Sequence, residues 1–271
     1  MLDGRRVIIT GGGRGLGREM ALAVAESGAD VLITAAREKS QLHDTVTASK
    51  GLRGTVRGIL ADVTDVSACK AVLAAAEQDM GGVDVLINNA GRGMRLVSET
   101  YTVEPVKFWE TEPETWRTII DINVNGAFNM ARIVTPVMVA NGFGKIINIS
   151  TSAQTMVRRG YSPYGPSKAA LEAASRVWHQ DLAGTGVTVN VLLPGGATDT
   201  ALIPEMPEKR GADGMLLAPQ IMRAPTVWLC SDAANNHSGE RYIARLWDDS
   251  LPPDEAAAVA RQPSTELPVI I

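Results

Sequence analysis

Cysteine and histidine are scarce in this sequence of 271 residues, which contains two cysteines and three histidines. Two thiols cannot build the dense disulfide framework of a small secreted domain, and the histidines, at positions 43, 179 and 237, are too scattered to form a metal site. We therefore predict no metal ion. Cys69 and Cys230 lie in apolar, helical patterns, which favours two buried free thiols.

Long apolar runs and a surplus of basic residues are also missing. No run approaches the roughly 18 apolar residues of a membrane-spanning helix, and no apolar core of a signal peptide precedes Gly11. The net charge is -4 and the pI about 5.5, and no basic cluster is present. These features argue against nucleic acid or an anionic membrane as a partner, and we expect a cytoplasmic protein.

What the sequence does contain is a regular alternation of short apolar runs and helical patterns. Hydrophobic residues make up 45% and charged residues 21% of the chain, enough for one large α/β domain. The longest helical patterns cover 113–140 and 162–182, and strands are predicted at 6–10, 29–34, 56–61, 83–87, 145–150, 187–193 and 241–245. Alternating strands and helices predict a doubly wound, parallel sheet without a linker dividing two domains.

A glycine-rich turn follows the first strand. Residues 11–17 read Gly-Gly-Gly-Arg-Gly-Leu-Gly, and a helical pattern begins at Arg18. Glycine tolerates positive φ and lets a ligand approach the backbone, while a helix N-terminus favours an anion. A second strand follows at the distance of a βαβ unit, which favours dinucleotide binding over a tight turn without a ligand.

Polar turns also follow the third and fourth strands. Asp62-Val63 ends one strand, and Asn88-Asn89-Ala90-Gly91 ends the next. Ligands of doubly wound sheets bind beyond the carboxyl ends of the strands, so these turns and the glycine loop are predicted to line one site. The small residues at 88–91 suit contact with a flat ring, although they could also form an ordinary turn.

A tyrosine and a lysine lie four residues apart in the helical pattern at 162–182. At this spacing Tyr164 and Lys168 share one face of a helix. An ammonium group beside a phenol favours the phenolate and lowers its pKa from about 10, which would make a proton donor usable near neutral pH. A Tyr-x-x-x-Lys pair alone is often a coincidence, and it gains weight here from the motifs that precede it.

Together these motifs resemble those of the short-chain dehydrogenase/reductase family, in particular its 3-oxoacyl-[acyl-carrier-protein] reductases. The resemblance covers about residues 2–245 and depends on Asn123 and on segments 10–17, 62–63, 88–91, 150–152, 164–168 and 194–195. Each motif alone is weak, but their common order and spacing are specific. The resemblance implies a single Rossmann domain over residues 1–246 with seven parallel strands, a bound NAD(P), and reversible oxidation of an alcohol to a carbonyl.

The resemblance also implies roles for individual residues. Tyr164 would be the general acid and base, Lys168 would hold the nicotinamide ribose and lower the pKa of Tyr164, and Asn123 would support a proton relay through water. The family's serine usually lies thirteen residues before the tyrosine, where this chain has Thr151. A shift by one residue would present Ser152 instead, so the third catalytic residue is left open between the two.

The predicted cofactor-binding residues lie in the turns at the carboxyl edge of the sheet. They are Gly11, Gly13, Arg14, Gly15, Leu16, Gly17, Arg37, Asp62, Val63, Asn89, Ala90, Gly91, Tyr164, Lys168, Pro194, Gly195 and Thr198. An NAD-specific site places a carboxylate at the end of the second strand, where this chain has no acid before Glu38. We predict a preference for NADP, with NAD as the alternative, because Arg14 and Arg37 can pair with a 2′-phosphate.

Two segments depart from the family pattern. The chain between Gly91 and Trp116 looks longer than in short members, and a tail of residues 247–271 replaces the usual glycine-rich end. Because residues 267–271 are apolar, we predict that the tail packs on a neighbouring subunit. The resemblance suggests a homotetramer that pairs through the helices over 116–140 and 164–182. Residues 198–214 are rich in proline, glycine and charge and are predicted to form a loop over the site.

The sequence thus predicts an NADP(H)-preferring oxidoreductase for a small-molecule carbonyl or alcohol. An acyl-thioester ketone reductase and a small alcohol or sugar dehydrogenase both remain open. The alternative is a catalytically silent dinucleotide-binding sensor or scaffold, which the altered serine position favours and the intact tyrosine–lysine pair opposes. Arg92, Arg95, Arg158 and Arg159 could bind an anionic substrate, although loop arginines are more often solvated.

Overall fold

Seven strands run through the centre of the molecule. The computed structural model describes residues 1–205, 209, 211 and 214–263. Its strands are β1 (Arg6–Ile9), β2 (Asp30–Ala35), β3 (Thr55–Leu60), β4 (Val85–Asn88), β5 (Gly144–Ile149), β6 (Val187–Leu193) and β7 (Arg241–Ile243). They form one parallel sheet in the order β3-β2-β1-β4-β5-β6-β7. The predicted doubly wound, seven-stranded sheet is confirmed, with strand ends shifted by at most two residues.

Helices cover both faces of this sheet. They are α1 (Gly15–Glu26), α2 (Lys39–Ala48), α3 (Val66–Met80), α4 (Pro113–Ile120), α5 (Gly126–Ala140), α6 (Ala153–Met156), α7 (Tyr164–Asp181), α8 (Arg223–Cys230) and α9 (Pro253–Ala260). The helical pattern predicted over 113–140 is confirmed, with a π-helical turn at Asp121–Asn125 between α4 and α5. A π turn inserts a residue into the helical register, which periodicity in the sequence does not reveal.

The sheet is buried on both sides, which explains why its strands read as continuous apolar runs. Val7 and Ile9 pack with residues of α1 and α8, while Ile8 between them packs with residues of α3 and α5. All three side chains are fully buried. Successive side chains of a strand point to opposite faces, so one short run supplies both layers of the core.

The two cysteines belong to these two layers. Cys69 in α3 and Cys230 in α8 are buried and unpaired, as predicted. Burial raises the pKa of Cys69 to about 11 and that of Cys230 to about 12. Because the thiolate is the reactive form, both side chains act as packing groups at neutral pH.

The described part of the tail packs on its own chain. Helix α9 buries three alanines, and Asp254 accepts a hydrogen bond of 2.7 Å from Trp228 Nε1. Arg261 Nη1 donates to Glu240 Oε1 at 2.8 Å beside the edge strand β7. The apolar residues 267–271 lie outside the described residues, so their packing on a neighbouring subunit stays a prediction. In the part of the chain described here, no helix is long and apolar enough to cross a bilayer.

Candidate active site

A cavity of about 490 Å³ opens at the carboxyl edge of the sheet. Every cofactor-binding residue predicted from the sequence lines it, and so does Thr151. Asn123 does not line it. The cavity continues past Tyr164 between the segment after β4, the loop around α6 and residues 200–203. Parallel strands bring turns that are distant in sequence to one edge, as the motif order predicted.

The turn after β4 fixes the glycine loop. Thr10 Oγ1 accepts hydrogen bonds of 3.0 Å from the backbone N–H groups of Asn89 and Ala90. In return, Asn89 Nδ2 donates to the carbonyls of Thr10 at 2.9 Å and Gly11 at 3.0 Å. A Cβ atom at Gly17 would lie 2.3 Å from Gly11 O, so only glycine lets α1 begin this close to the loop. The amide of Asn89 therefore shapes the loop.

The first turn of α7 carries the tyrosine and the lysine. A Cβ atom at Gly165 would lie 2.4 Å from Met156 O, so glycine allows α7 to pack directly on α6. This contact places Tyr164 beside the end of β5, where the Thr151 side chain makes a hydrogen bond with its phenol. One turn further along α7, Lys168 Nζ donates to Ile149 O at 2.8 Å.

The hydroxyl group of Ser152 is engaged elsewhere. Ser152 is the N-cap of α6, and its Oγ accepts a hydrogen bond of 3.2 Å from Thr155 N. It also lies 2.9 Å from Thr155 Oγ1. Of the two candidates that the sequence left open, Thr151 is the residue beside Tyr164, while Ser152 satisfies a free backbone N–H of the helix.

Burial controls the ionisation of both groups on α7. It raises the pKa of Tyr164 to about 12, and the hydrogen bond from Thr151 only partly opposes this rise. It lowers the pKa of Lys168 to about 8, against a smaller opposing effect of Glu172. The expectation that Lys168 lowers the pKa of Tyr164 is therefore wrong for this structure, because loss of solvation of the phenolate dominates. At neutral pH Tyr164 carries its proton.

Asn123 lies behind the cavity wall in the π-helical turn. Its Oδ1 accepts from Arg92 N at 2.8 Å, and its Nδ2 donates to Arg92 O at 3.0 Å and to Ser167 Oγ at 2.9 Å. Ser167 Oγ in turn donates to Tyr164 O at 2.7 Å. The amide thus joins the segment after β4 to the first turn of α7. The predicted role of Asn123 in a proton relay stays a prediction.

Two residues at or beside the site were given no role by reasoning from the sequence, although Ser150 begins the motif 150–152. Ser150 lines the cavity with a buried Oγ that has no hydrogen-bond partner among the described residues. Arg241 in β7 donates Nε to the carboxylate of Glu172 at 3.0 Å and Nη2 to Thr151 O at 2.7 Å. Ser150 was identifiable as a hydroxyl at a strand end, but nothing in the sequence pairs Arg241 with residues so far away.

These residues fit a bound dinucleotide. The glycine loop at the start of α1 offers backbone N–H groups to phosphates, and the unsatisfied hydroxyl of Ser150 calls for a polar partner in the cavity. Arg14, Arg37 and Glu38 line the part of the cavity beside the end of β2. Asp62 lines it too, with Oδ1 held by the backbone N–H and hydroxyl of Thr64 at 2.9 and 2.8 Å.

The fold and the site define an α/β dinucleotide-binding protein with a tyrosine–lysine pair at the inner end of its cofactor cleft. A sequence profile described as short chain dehydrogenase matches residues 5–211. The chain belongs to this family, the short-chain dehydrogenases/reductases, and is thus an NAD(P)-dependent oxidoreductase acting on a CH–OH group.

Individual relatives agree with this assignment. The 3-oxoacyl-[acyl-carrier-protein] reductase FabG of Thermotoga maritima is 30% identical over 246 residues, which span 88% of this chain and 95% of the relative. A short-chain type dehydrogenase/reductase of Picea abies is 37% identical over 73% of each chain. The crystal structure of a short-chain type dehydrogenase/reductase from Mycobacterium marinum is 27% identical with a TM-score of 0.76, covering 89% of this chain and 94% of that one.

Proposed function

We propose that this protein interconverts a ketone and a secondary alcohol with Tyr164 as the acid and base. The observation that carries the proposal is the group formed by Tyr164, Thr151 and Lys168 at the wall of the cavity. The buried phenol is protonated at neutral pH, which suits a proton donor to a carbonyl oxygen. Thr151 supplies a second hydroxyl at the same place, so two donors can stabilise the charge that develops on that oxygen.

The nicotinamide, when bound, supplies or accepts the hydride. The glycine loop and the N-terminus of α1 would hold the pyrophosphate, and the turn after β4 would lie against the flat ring systems. Lys168 lies within reach of the cavity and would hold the nicotinamide ribose. Ser150 and the segment 194–198 line the inner end of the cleft, where they would fix the orientation of the ring.

We infer a preference for NADP over NAD. Arg14 and Arg37 both line the cavity near the end of β2 and are exposed there, so either guanidinium can reach a 2′-phosphate. Glu38 lines the same part and would repel that phosphate if it turned inward. Arg37→Ala should weaken NADPH binding by about 10-fold or more and leave NADH binding unchanged, since a hydrogen bond to a charged group contributes roughly 1.5–3 kcal/mol. Tighter binding of NADH than NADPH by the unaltered protein would contradict the inference.

The test of the activity is a screen that follows the absorbance of the reduced nicotinamide. Small ketones, sugar-derived ketones and 3-oxoacyl thioesters should be offered with NADPH and with NADH. We expect turnover with at least one of these classes. Tight binding of the dinucleotide without turnover of any class would support the alternative, a silent sensor or scaffold. The altered serine position was the argument for that alternative. The hydrogen bond of Thr151 to Tyr164 weakens this argument, because the Thr151 hydroxyl occupies the place of the family's serine hydroxyl.

We also propose a homotetramer. The helices predicted to pair the subunits expose large apolar side chains in the single chain, namely Trp116 in α4, Phe128 and Val139 in α5, and Val177 in α7. Apolar side chains on neighbouring long helices are suited to a symmetric contact. Analytical ultracentrifugation should give the mass of four chains, whereas a monomer at micromolar concentration would contradict the proposal.

A further inference from the structure

The structure gives different surroundings to the four loop arginines for which the sequence analysis considered an anionic substrate. Arg95 Nε donates to both carboxylate oxygens of Glu99 at 2.8–2.9 Å, and its Nη1 donates to Ala201 O at 3.1 Å. Arg159 is exposed and does not line the cavity. Arg92 and Arg158, in contrast, both line the cavity and are only half-exposed.

The guanidinium groups of Arg92 and Arg158 are not neutralised by neighbouring side chains. Neither forms an ion pair or a side-chain hydrogen bond with a described residue. The Arg158 guanidinium lies over the ring of Tyr161 at 5.3 Å from its centroid, a contact that orients it without using its N–H donors. Both side chains therefore bring unused donors to the cavity wall.

The backbone of Arg92 and the guanidinium of Arg158 are each held by a neighbouring residue. Asn123 binds both the N–H and the carbonyl of Arg92, at 2.8 and 3.0 Å, and its amide is almost completely buried. Tyr161, beneath Arg158, packs edge-on against Tyr101 with 5.6 Å between ring centroids. The stacked guanidinium of Arg158 therefore loses less conformational entropy on binding an anion than a free surface arginine, while Arg92 starts from a fixed backbone position.

Arg92 also lies close to the reacting end of the cavity. It follows Gly91, where a Cβ atom would lie 3.8 Å from Lys168 Nζ. Arg158 lies on the loop between α6 and α7, which carries Tyr164 at its end. Along the chain, both arginines thus neighbour segments that line the cavity at the catalytic group, whereas Arg14 and Arg37 belong to the glycine loop and the end of β2.

The charged side chains that line the substrate part of the cavity are positive. Among the described lining residues, the carboxylates are Glu38 and Asp62, which follow β2 and β3 on the cofactor side. The chain as a whole is acidic, with a net charge of -4. Unpaired arginines in the substrate part of a cavity are thus not a consequence of a generally basic surface. They raise the local concentration of an anionic ligand.

We propose that Arg92 and Arg158 bind an anionic group, a carboxylate or a phosphate, on the same molecule as the reacting carbonyl or alcohol. This inference rests on the proposed oxidoreductase function and specifies its substrate class. A planar guanidinium binds either anion through two parallel hydrogen bonds. Leu96, Tyr101, Tyr161 and Leu202 also line the cavity and can contact an apolar linker between the two ends of such a substrate.

The test compares oxo acids with their neutral methyl esters. Acetoacetate, 4-oxopentanoate and 5-oxohexanoate place the carboxylate at increasing distances from the ketone, and acetoacetyl coenzyme A presents phosphates on a long arm instead. For Arg92→Met and Arg158→Met we expect kcat/KM to fall about 10- to 100-fold with the anionic substrate that the unaltered enzyme prefers. With the matching neutral ester the variants should equal the unaltered enzyme. Arg→Lys at either position should restore part of the loss, and Arg159→Met is the matched control.

Binding provides a second measurement that does not depend on turnover. The same oxo acids and esters should be titrated calorimetrically into the protein saturated with NADP⁺. Binding of the acid but not of the ester, lost in Arg92→Met and retained in Arg159→Met, is the expected result. Equal losses with acid and ester, or no loss with either, would overturn the inference. If the inference fails but all variants still turn over neutral ketones, the proposed oxidoreductase function stands. If the protein binds the oxo acid through these arginines but turns over no ketone, the result contradicts the proposed function and not the anion-binding inference.

Discussion

Two buried lysines lie at opposite ends of strand β5, and only one belongs to the candidate active site. Lys145, at the start of the strand, is 2% exposed, and its Nζ has no hydrogen-bond partner among the described residues. Lys168, from α7, is 5% exposed, and its Nζ donates to Ile149 O at the other end of the same strand. Burial lowers the pKa of each to about 8.

The comparison shows that a perturbed pKa does not by itself identify a functional group. Both lysines lose solvation, and both are easier to deprotonate than a surface lysine. What distinguishes Lys168 is its position at the carboxyl edge of the sheet, on the wall of the cavity and one helical turn from Tyr164. Lys145 does not line that cavity, and its Nζ lies over the ring of Phe143, 5.9 Å from the ring centroid.

Replacing each lysine by methionine separates the two roles and gives the largest expected effect. Lys168→Met should lower turnover about 100- to 10,000-fold, the range typical of a positioned acid–base group and its direct support. Lys145→Met should leave turnover unchanged, because its side chain is remote from the cavity. Steady-state assays at saturating cofactor provide the measurement. Equal losses in the two variants would mean that burial, and not position, decides the effect.

A smaller loss is expected at the end of β5. Thr151→Ala removes one of two hydroxyl groups that can face the substrate oxygen. Loss of one donor to a developing oxyanion costs about 100- to 1,000-fold in hydrolases, and we expect roughly 10- to 100-fold here because Tyr164 remains. Ser152→Ala removes a helix cap and should cost about 1 kcal/mol of stability with little change in kcat. An inactive Ser152→Ala beside an active Thr151→Ala would contradict the geometry of this loop.

The pH dependence of ketone reduction should report Lys168. Tyr164 stays protonated up to a pKa of about 12, so it does not limit the rate near neutrality. Lys168 loses its proton as the pH rises through about 8, and the rate of reduction should fall over that range. Lys168→Arg keeps its charge at every accessible pH. Its profile should therefore lack the decrease near pH 8, and an unchanged decrease would assign that step to another group.

The last expected effect, at Lys145, is on stability and not on turnover. Near pH 7, Lys145→Met replaces a buried ammonium group that has no hydrogen-bond partner among the described residues by an apolar chain of similar length, which should raise the free energy of unfolding by about 1–3 kcal/mol. Since the folded protein releases the proton near pH 8 and the unfolded chain near 10.5, the unaltered protein binds fewer protons when folded and gains stability between these values. Thermal melts provide the measurement. Between pH 7 and pH 9.5, stability should increase less in Lys145→Met than in the unaltered protein.

Reasoning from the sequence predicted those parts of the molecule that depend on local patterns. The strands, the glycine loop and the polar turns followed from apolar runs, glycine spacing and the rule that ligands bind at the carboxyl edge of a parallel sheet. Thr151 and Ser152 could not be separated, because the sequence does not show that α6 begins at Ala153 and takes Ser152 as its N-cap.

Features that depend on distant contacts or on solvation could not be predicted. The π turn carrying Asn123 changes the helical register without changing the apolar pattern. Arg241 reaches Glu172 and Thr151 across the fold, and no sequence spacing links them. The predicted lowering of the pKa of Tyr164 was wrong, because the sequence shows the neighbouring lysine but not the loss of water around the phenol.

The most direct test of the central claim is the turnover of Tyr164→Phe measured together with its affinity for NADPH. The phenylalanine ring fills the same space and leaves Lys168 and the glycine loop unchanged, so the cofactor should bind as in the unaltered enzyme. Without the phenol no proton donor of this kind remains beside Thr151, and turnover should fall by about 1,000-fold or more. Full activity of Tyr164→Phe with unchanged NADPH affinity would contradict the assignment of Tyr164 as the acid and base.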